Sequence, residues 1–272
     1  MQPADPDQST TDLRPGSVAA PLWDPSAIPA ATVVVIRDCT AGIEVLMLKR
    51  NRDLAFAGGM WVFPGGRIDP TDFVQAGVHR TADGQLGSQA GSDQAGSDQA
   101  GSLERAAVVA AVREASEEAG LRLDQDGLRG WSHWTPPPET PKRFSTAFFI
   151  APWSQQSGEV TVDNGEIREH RWEEPAAVLQ LRAAGEVGLT PPTFITLSQL
   201  LPFTSVSELL ARAETRTQEH FATRIAVEGS EIIAMYHGDS GYESGDPGLL
   251  GPRHRLRMGQ QWTYERDGET DV

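Results

Sequence analysis

The nine residues 113–121, REASEEAGL, constrain this chain more than any other segment. They place Glu114, Glu117 and Glu118 at positions i, i+3 and i+4 of a helix, which lie on one helical face. The opposite face carries an apolar stripe that can pack on a core, formed by Val108, Val112, Ala115 and Ala119. The segment therefore predicts a helix with one buried face and one concentrated anionic face.

An anionic helix face of this kind has two interpretations. Hard divalent cations such as Mg²⁺ bind several oxygen ligands, often together with substrate phosphates. A glutamate-rich face is more often only a solvated surface. Two flanking features favour the metal site: Gly120 stands where helices commonly end, and Gly65-Gly66 upstream permits a close approach of backbone to a ligand.

These residues resemble the signature of the Nudix hydrolases, Gly-x5-Glu-x7-Arg-Glu-U-x-Glu-Glu-x-Gly-U, where U is aliphatic. Residues 113–121 fit the second half, and Gly66 fits the opening glycine after Phe63-Pro64-Gly65. Asp72 stands where the signature has its first glutamate, and a long insertion separates the two halves. Glu104 is the alternative for the missing acid, but its spacing to Arg113 is one residue too long, so we favour Asp72.

The insertion, at about 73–102, contains the repeated pentapeptide GSDQA at 91–95 and 96–100. Such a polar segment has too little apolar surface to offset the entropy lost on ordering, so we expect a flexible loop without a chemical role. Residues 1–30, rich in proline, are expected to form a disordered tail. Residues 31–205 are expected to form the Nudix domain, and residues 206–272 a helical or irregular extension packed on it.

The resemblance implies an α/β fold, a Nudix-like α/β/α sandwich around a mixed sheet. It also implies hydrolysis of a phosphoanhydride bond with Mg²⁺ or Mn²⁺, whose ligands would be Glu114, Glu117, Glu118 and the carbonyl of Gly65. The catalytic residues would be Glu114 and Glu117, with Arg113 orienting a glutamate of the signature. Glu166 is the candidate for a further acid from a downstream loop, and Glu169 is its competitor.

A second resemblance concerns the substrate. The residues around Arg50 and Gly59, and the long insertion, are similar to coenzyme A diphosphatases, although Asn51 replaces the usual serine. This implies coenzyme A or an acyl derivative as the substrate, with phosphates bound by Arg50, Arg52 and Arg143. Another nucleoside-diphosphate-linked substrate stays open, as does a non-catalytic Nudix-fold ligand sensor or interaction module.

Composition limits the remaining function classes. The net charge of −15 argues against general binding to nucleic-acid backbones. No apolar run is long enough to span a membrane, and the N-terminus lacks the apolar segment of a signal peptide. The single Cys39 excludes an intrachain disulfide and suits the cytoplasm. The expected partner is a small-molecule diphosphate, and a homodimer is left open.

Overall fold

The computed structural model describes residues 23–54, 57–80, 86–88, 95–162 and 164–267. Its helices are α1 Pro70–Gln75, α2 Ala95–Ala119, α3 Pro175–Ala183, α4 Pro191–Leu200 and α5 Val206–Thr215. Its strands up to α3 are β1 Ile28–Cys39, β2 Gly42–Arg50, β3 Trp61–Val62, β4 Gly65–Arg67, β5 Val78–Arg80, β6 Leu86–Ser88, β7 Arg129–Thr135, β8 Phe144–Pro152 and β9 Ile167–Glu173. The later strands are β10 Glu219–Ala222, β11 Arg224–Glu228, β12 Glu231–Met235, β13 His254–Met258 and β14 Trp262–Arg266.

Eight of the described strands form one mixed sheet in the order β10-β7-β8-β1-β2-β3, with β4 paired to β1 and β9 paired to β2. The β1–β8 and β10–β7 pairs are parallel and the others antiparallel. Strand β1 carries the β-branched run TVVVI, which suits a strand buried on both faces.

Alternate residues of β1 face two different apolar clusters, as the period of two in a strand requires. Val33 and Val35 pack in a cluster with the alanines of α2. Val34 and Ile36 pack in a second cluster, which contains buried side chains of α4 and α5. Helices therefore cover both faces of the mixed sheet, and the α/β sandwich expected from the sequence is confirmed.

The N-terminal boundary differs from the one expected. Trp23 is buried and β1 begins at Ile28, because Ile28 and Ala30 pair with β8 and so extend the sheet. Residues 1–22 lie outside the described residues.

The segment expected to be a flexible loop at 73–102 also differs. Strands β5 and β6 form a hairpin, and α2 begins at Ala95, the last residue of the first GSDQA repeat, so that the second repeat is helical. Residues 81–85 and 89–94 lie outside the described residues. Helix propagation costs far less than nucleation, so the alanine-rich segment that follows can extend a helix into polar sequence.

The C-terminal region is mostly β-structure instead of helical or irregular. After α5, β10 joins β7 in the main sheet, and β11–β14 form a second, four-stranded antiparallel sheet. Ala234, Tyr236 and Leu256 lie in the same apolar cluster as Val34. The domain boundary expected at residue 205 therefore falls inside one continuous core. No helix in the described part of the chain has the length and hydropathy to cross a membrane.

Candidate active site

The glycines of β4 let a carboxylate lie directly against the backbone. Gly65 and Gly66 pair with Thr32 and Ala31 of β1. A Cβ atom at Gly65 would collide with the Thr32 hydroxyl and the Ala31 carbonyl, and one at Gly66 would collide with the Glu114 carboxylate. The glycine at position 66 therefore lets α2 approach β4 this closely, and the glycine at position 65 permits the close pairing of β4 with β1.

Glu118 is the most deeply buried of the three glutamates on α2, with 6% of its surface exposed. Its Oε2 accepts a hydrogen bond of 2.9 Å from the backbone N–H of Gly65, and its Oε1 lies 3.5 Å from Arg50 Nη1. Burial raises the pKa of Glu118 to about 8, and the nearby charge of Glu114 adds to this, while the Gly65 hydrogen bond and Arg50 oppose it. A bound cation at this point would stabilise the ionised carboxylate.

Glu114 and Glu117 have different environments although they share a helical face with Glu118. Burial raises the pKa of Glu114, and Arg113 opposes the shift. The side chain of Glu117 is 60% exposed, and its Oε2 accepts a hydrogen bond of 2.8 Å from Arg113 Nη1. Two of the three expected metal ligands thus lie beneath the glycine loop, and the third lies at its rim.

Arg113 and Asp72 form a bidentate ion pair. The Nε and Nη2 atoms of Arg113 each lie 3.0 Å from an oxygen of Asp72, which is completely buried. Arg113 Nη1 also donates to Glu114 Oε1 at 2.9 Å. The hydrogen bonds to Asp72 raise the pKa of Arg113, which stays charged. Asp72 therefore occupies the position expected of it, and Arg113 links it to the carboxylates of α2.

Glu104, the alternative to Asp72, lies elsewhere. Its hydrogen-bond partner is Gln218, and burial raises its pKa. The choice of Asp72 from its position directly after the glycine loop agrees with the contacts.

Arg50 connects the signature helix to the downstream loop. Its Nη1 lies 3.5 Å from Glu118 and its Nη2 lies 3.3 Å from Glu166. The loop is held in place by a hydrogen bond of 2.7 Å from Asn51 N–H to the Glu166 carbonyl. Glu169, the competing acid, forms an ion pair of 2.7 Å with Lys49. Of the two acids, Glu166 is the one that shares Arg50 with Glu118, and its role as a catalytic base stays a prediction.

The other two arginines expected to bind phosphate have separate positions. Arg52 is exposed and its side chain lies below Gly59. Arg143 pairs with Asp24 at 2.6 Å and donates to the Ser26 hydroxyl and the Pro136 carbonyl. Arg143 thus fastens the segment before β1, a contact that sequence analysis missed because it joins residues 119 positions apart.

The donor set fits a hard divalent cation, because carboxylate oxygens are the ligands that Mg²⁺ and Mn²⁺ prefer. Within the described ranges, no group of three or more His, Cys, Asp or Glu side chains surrounds one point as the side chains stand. The hydrogen bond from Arg113 to Glu117 is part of the reason, since it directs that carboxylate to the rim. The carboxylates best placed to bind such a cation are therefore those of Glu114 and Glu118, and Glu117 lies beside them on the same helix.

Comparison with known proteins agrees with this geometry. The NUDIX domain model matches residues 100–193, which contain the second half of the signature. The acyl-coenzyme A diphosphatase NUDT19 of Xenopus laevis is 26% identical over 290 residues, covering 80% of this chain and 76% of that protein. The protein of the same name from Gallus gallus is 23% identical and covers 77% of this chain and 75% of its own.

A solved structure supports the same assignment. The NUDIX hydrolase from Alicyclobacillus acidocaldarius aligns with a TM-score of 0.53 and 25% identity, over 70% of this chain and 97% of its own. The carboxylates below a glycine loop, the matched domain and these relatives lead to one conclusion. The chain therefore carries a segment that matches the NUDIX domain, and it resembles Nudix hydrolases, including the acyl-coenzyme A diphosphatases.

Proposed function

We propose that this chain is a divalent-metal-dependent Nudix diphosphatase that cleaves the phosphoanhydride bond of coenzyme A or an acyl-coenzyme A. The observation that carries the metal dependence is the pair Glu114 and Glu118, a partly buried and a buried carboxylate next to Gly65-Gly66. The substrate class is supported by the relatives that are named acyl-coenzyme A diphosphatases.

In this proposal Glu114, Glu117, Glu118 and the Gly65 carbonyl hold Mg²⁺ or Mn²⁺. The bound cation would supply charge neutralisation of the diphosphate and a water of lowered pKa. Arg113 keeps Glu114 and Glu117 in place through its pair with Asp72.

Glu166 is the proposed base. It follows Asn164, whose φ of 59° produces the turn, and its backbone carbonyl is tied to Asn51. Arg50 holds the Glu166 carboxylate toward Glu118. A base placed within reach of a metal-bound water can accept the proton released during attack.

Arg50 and Arg52 are the proposed phosphate contacts: Arg50 ends β2 next to Glu118, and Arg52 follows two residues later with an exposed side chain. Arg143 is not included, since Asp24, Ser26 and Pro136 already accept from its guanidinium.

The half-buried, unpaired Cys39 suits a reducing compartment, and we place the enzyme in the cytoplasm. Fractionation of cells that express the tagged chain would test this location.

Product analysis tests the reaction. The purified chain is incubated with coenzyme A, acetyl-coenzyme A, ADP-ribose, NADH and a diadenosine polyphosphate, with Mg²⁺, Mn²⁺ or a chelator, and products are identified by mass. We expect 3′,5′-ADP and a phosphopantetheine with metal and none with chelator. Metal-dependent cleavage of another substrate only would reject coenzyme A and keep the mechanism. Cleavage that persists in chelator would reject the metal dependence.

A further inference from the structure

The second sheet ends in an exposed strand that is suited to pairing with a copy of itself. Strand β11 is the terminal strand of the described four-stranded sheet and pairs only with β12 in it. Four of its five residues are exposed and none is proline or lysine. Open edges of this kind are usually shortened, charged or covered, because their free backbone groups bind other strands.

One face of this edge strand is apolar and exposed to solvent. Ile225, Val227 and Ile232 are 41%, 67% and 46% exposed. Val227 lies opposite Ile232 across the β11–β12 pair, and Ile225 lies opposite the buried Ala234. The apolar surface that Ala234 buries inside the molecule thus continues outward to the edge strand.

The hairpin that joins β11 to β12 determines which backbone N–H and C=O groups of β11 point to the open edge. Glu228 and Glu231 close a two-residue hairpin over Gly229 and Ser230. The closing pair of such a hairpin is hydrogen bonded, and hydrogen-bonded pairs alternate along the ladder. The peptide groups of Glu228, Ala226 and Arg224 therefore point to β12, and those of Val227 and Ile225 point to the open edge.

We propose that β11 is a dimer interface, in which two copies of the chain join β11 to β11 antiparallel about a two-fold axis at Ala226. The sequence RIAVE is complementary to itself in that register: Arg224 faces Glu228 of the second copy, Ile225 faces Val227, and Ala226 faces Ala226. An isologous contact needs a patch of this self-complementary kind.

In the same register the outward backbone groups form hydrogen bonds and the exposed apolar side chains are covered. Ile225 and Val227 each meet a residue whose N–H and C=O also point outward, so they exchange reciprocal hydrogen bonds. Their side chains lie on the same face as those of the second copy, so each covers apolar surface that is exposed in one chain. A five-residue strand is a small interface, so we expect a reversible, concentration-dependent dimer. The contact lies outside the matched NUDIX segment and does not depend on the proposed substrate.

Two charge variants of the full chain test the register. Arg224→Glu places carboxylates at both ends of the paired strands, and Glu228→Arg places guanidinium groups at both ends. We expect the parent chain to form a dimer as concentration rises in sedimentation velocity, and each variant alone to stay a monomer. An equimolar mixture of the two variants should form a dimer again, because carboxylates then face guanidinium groups at both ends.

The mixture separates pairing from local damage. Within one chain Arg224 donates to the carbonyls of Tyr242 and Glu243, and Glu228 accepts from Arg257. Mixing two variants cannot restore these internal contacts, so recovery of the dimer identifies the contact between chains. A parent chain that stays monomeric at every concentration, or a mixture that stays monomeric, would overturn the proposal.

A backbone variant gives independent evidence. Val227→Pro removes an N–H that points outward and leaves the hydrogen bonds to β12 in place, as proline is accepted on the outer side of an edge strand. It should abolish the dimer with little change in Tm. The control is Val74→Lys, at an exposed valine of α1 away from the edge, and it should leave the dimer intact. Proline is not used at this control position because Val74 lies inside a helix. A dimer that persists in Val227→Pro would contradict the proposed pairing.

Discussion

At the scale of single residues, the site depends on charges that the fold keeps away from water. Glu118 accepts a hydrogen bond from Gly65 N–H and is almost fully buried, whereas Glu117 on the same helical face is mostly exposed. The two residues are adjacent in sequence, and their different burial follows from the 100° that separates neighbouring residues on a helix. Their expected contributions differ accordingly.

Glu118→Gln should remove activity without unfolding the protein. The amide oxygen can still accept from Gly65 N–H, and burial already disfavours the ionised form of Glu118 in the metal-free chain, so stability should change little while a ligand for the cation is lost. Loss of residues that only support metal ligands costs about 10–100-fold in activity, so loss of this ligand should cost at least about 100-fold. Turnover and thermal unfolding of the metal-free chain are measured together. Glu169→Gln, which alters the exposed pair with Lys49, is the control and should keep near-parent turnover.

Asp72→Asn should reduce both stability and activity. Asp72 is fully buried and Arg113 would lose its charged partner, and breaking such a pair costs about 3 kcal/mol in free energy of unfolding. Arg113 would also hold Glu114 and Glu117 less firmly.

Urea unfolding measures the cost, and Asp69→Asn is the matched control. Asp69 pairs with the exposed Arg67, so its substitution should cost less than about 1 kcal/mol. Equal losses in free energy of unfolding for the two variants would show that the pair between Asp72 and Arg113 contributes no more to stability than the exposed pair.

Sequence analysis anticipated that the expected site residues lie close together, but not all of their contacts. The helical spacing of Glu114, Glu117 and Glu118 and the two glycines were sufficient to expect carboxylates beside a backbone loop. The ion pair between Asp72 and Arg113 was expected only from position in the signature. The link from Glu118 through Arg50 to Glu166 could not be read from the sequence, because it depends on how β2 and the downstream loop meet in space.

At the scale of secondary-structure elements, α2 carries the site and has unusual ends. It begins in the polar repeat at Ala95 and ends before Gly120, which has a φ of 67°. Gly120 N–H donates to the Ser116 carbonyl at 3.0 Å, a hydrogen bond typical of a helix that ends in a left-handed glycine. The C-terminus was predicted from Gly120, whereas the N-terminus was not, because glycine and serine repeats carry no helix signal.

Two glycine substitutions test these ends. Gly101 lies inside α2, and a Cβ there would meet only the end of the Arg105 side chain, at 3.7 Å. Gly101→Ala should therefore stabilise the protein by about 0.5–1 kcal/mol. Gly120→Ala should destabilise it by more than about 1 kcal/mol, because φ is positive and the Cβ would collide with Thr161.

Thermal unfolding of both variants is the measurement. No gain from Gly101→Ala would indicate that the helix begins later in the chain, closer to residue 103, as the sequence alone suggested.

The elements after α5 show why the rest of the fold was harder to predict. Strands β11, β13 and β14 contain several arginines and glutamates, so their apolar alternation is weak. Ion pairs such as Arg257 with Glu231, at 2.6 Å, link neighbouring strands of this sheet. Such pairs become recognisable only when the strand register is known, and the sequence therefore indicated an irregular extension.

At the scale of the whole molecule, the mixed sheet separates two apolar clusters, and histidines of both sheets lie away from solvent. His133 on β7 is completely buried; its Nε2 lies 2.9 Å from the Ser145 hydroxyl, and its ring packs edge-on against Trp23. Burial lowers the pKa of His133 to about 3 from its ordinary value of 6.5. Burial also lowers the pKa of His220 and of His254.

Stability should fall as the pH decreases below about 6.5. Between pH 6.5 and 3 the unfolded chain binds a proton at His133 and the folded chain does not, so the unfolded state gains stability as pH falls. One such proton contributes at most about 1.4 kcal/mol per pH unit. His133→Gln, which retains an amide near the Ser145 hydroxyl, should have a smaller pH dependence of its free energy of unfolding across this range.

Urea titrations at several pH values compare this variant with the parent chain. His170→Gln, at an exposed histidine, is the control and should leave the slope unchanged. An unchanged slope in His133→Gln would mean that His133 is not the group responsible.

The ion pair between Asp72 and Arg113 also has a consequence for protein engineering and for divergence. It joins residues 41 positions apart, so the chain leaves the candidate site after Asp72 and returns to it at Arg113. The cost of closing such a loop increases by only about 0.6 kcal/mol for each doubling of its length. A reporter domain or a recognition peptide placed between β5 and β6 should therefore fold as a separate unit while the carboxylates of α2 keep their positions, which makes this segment a site for inserting sequence into the chain.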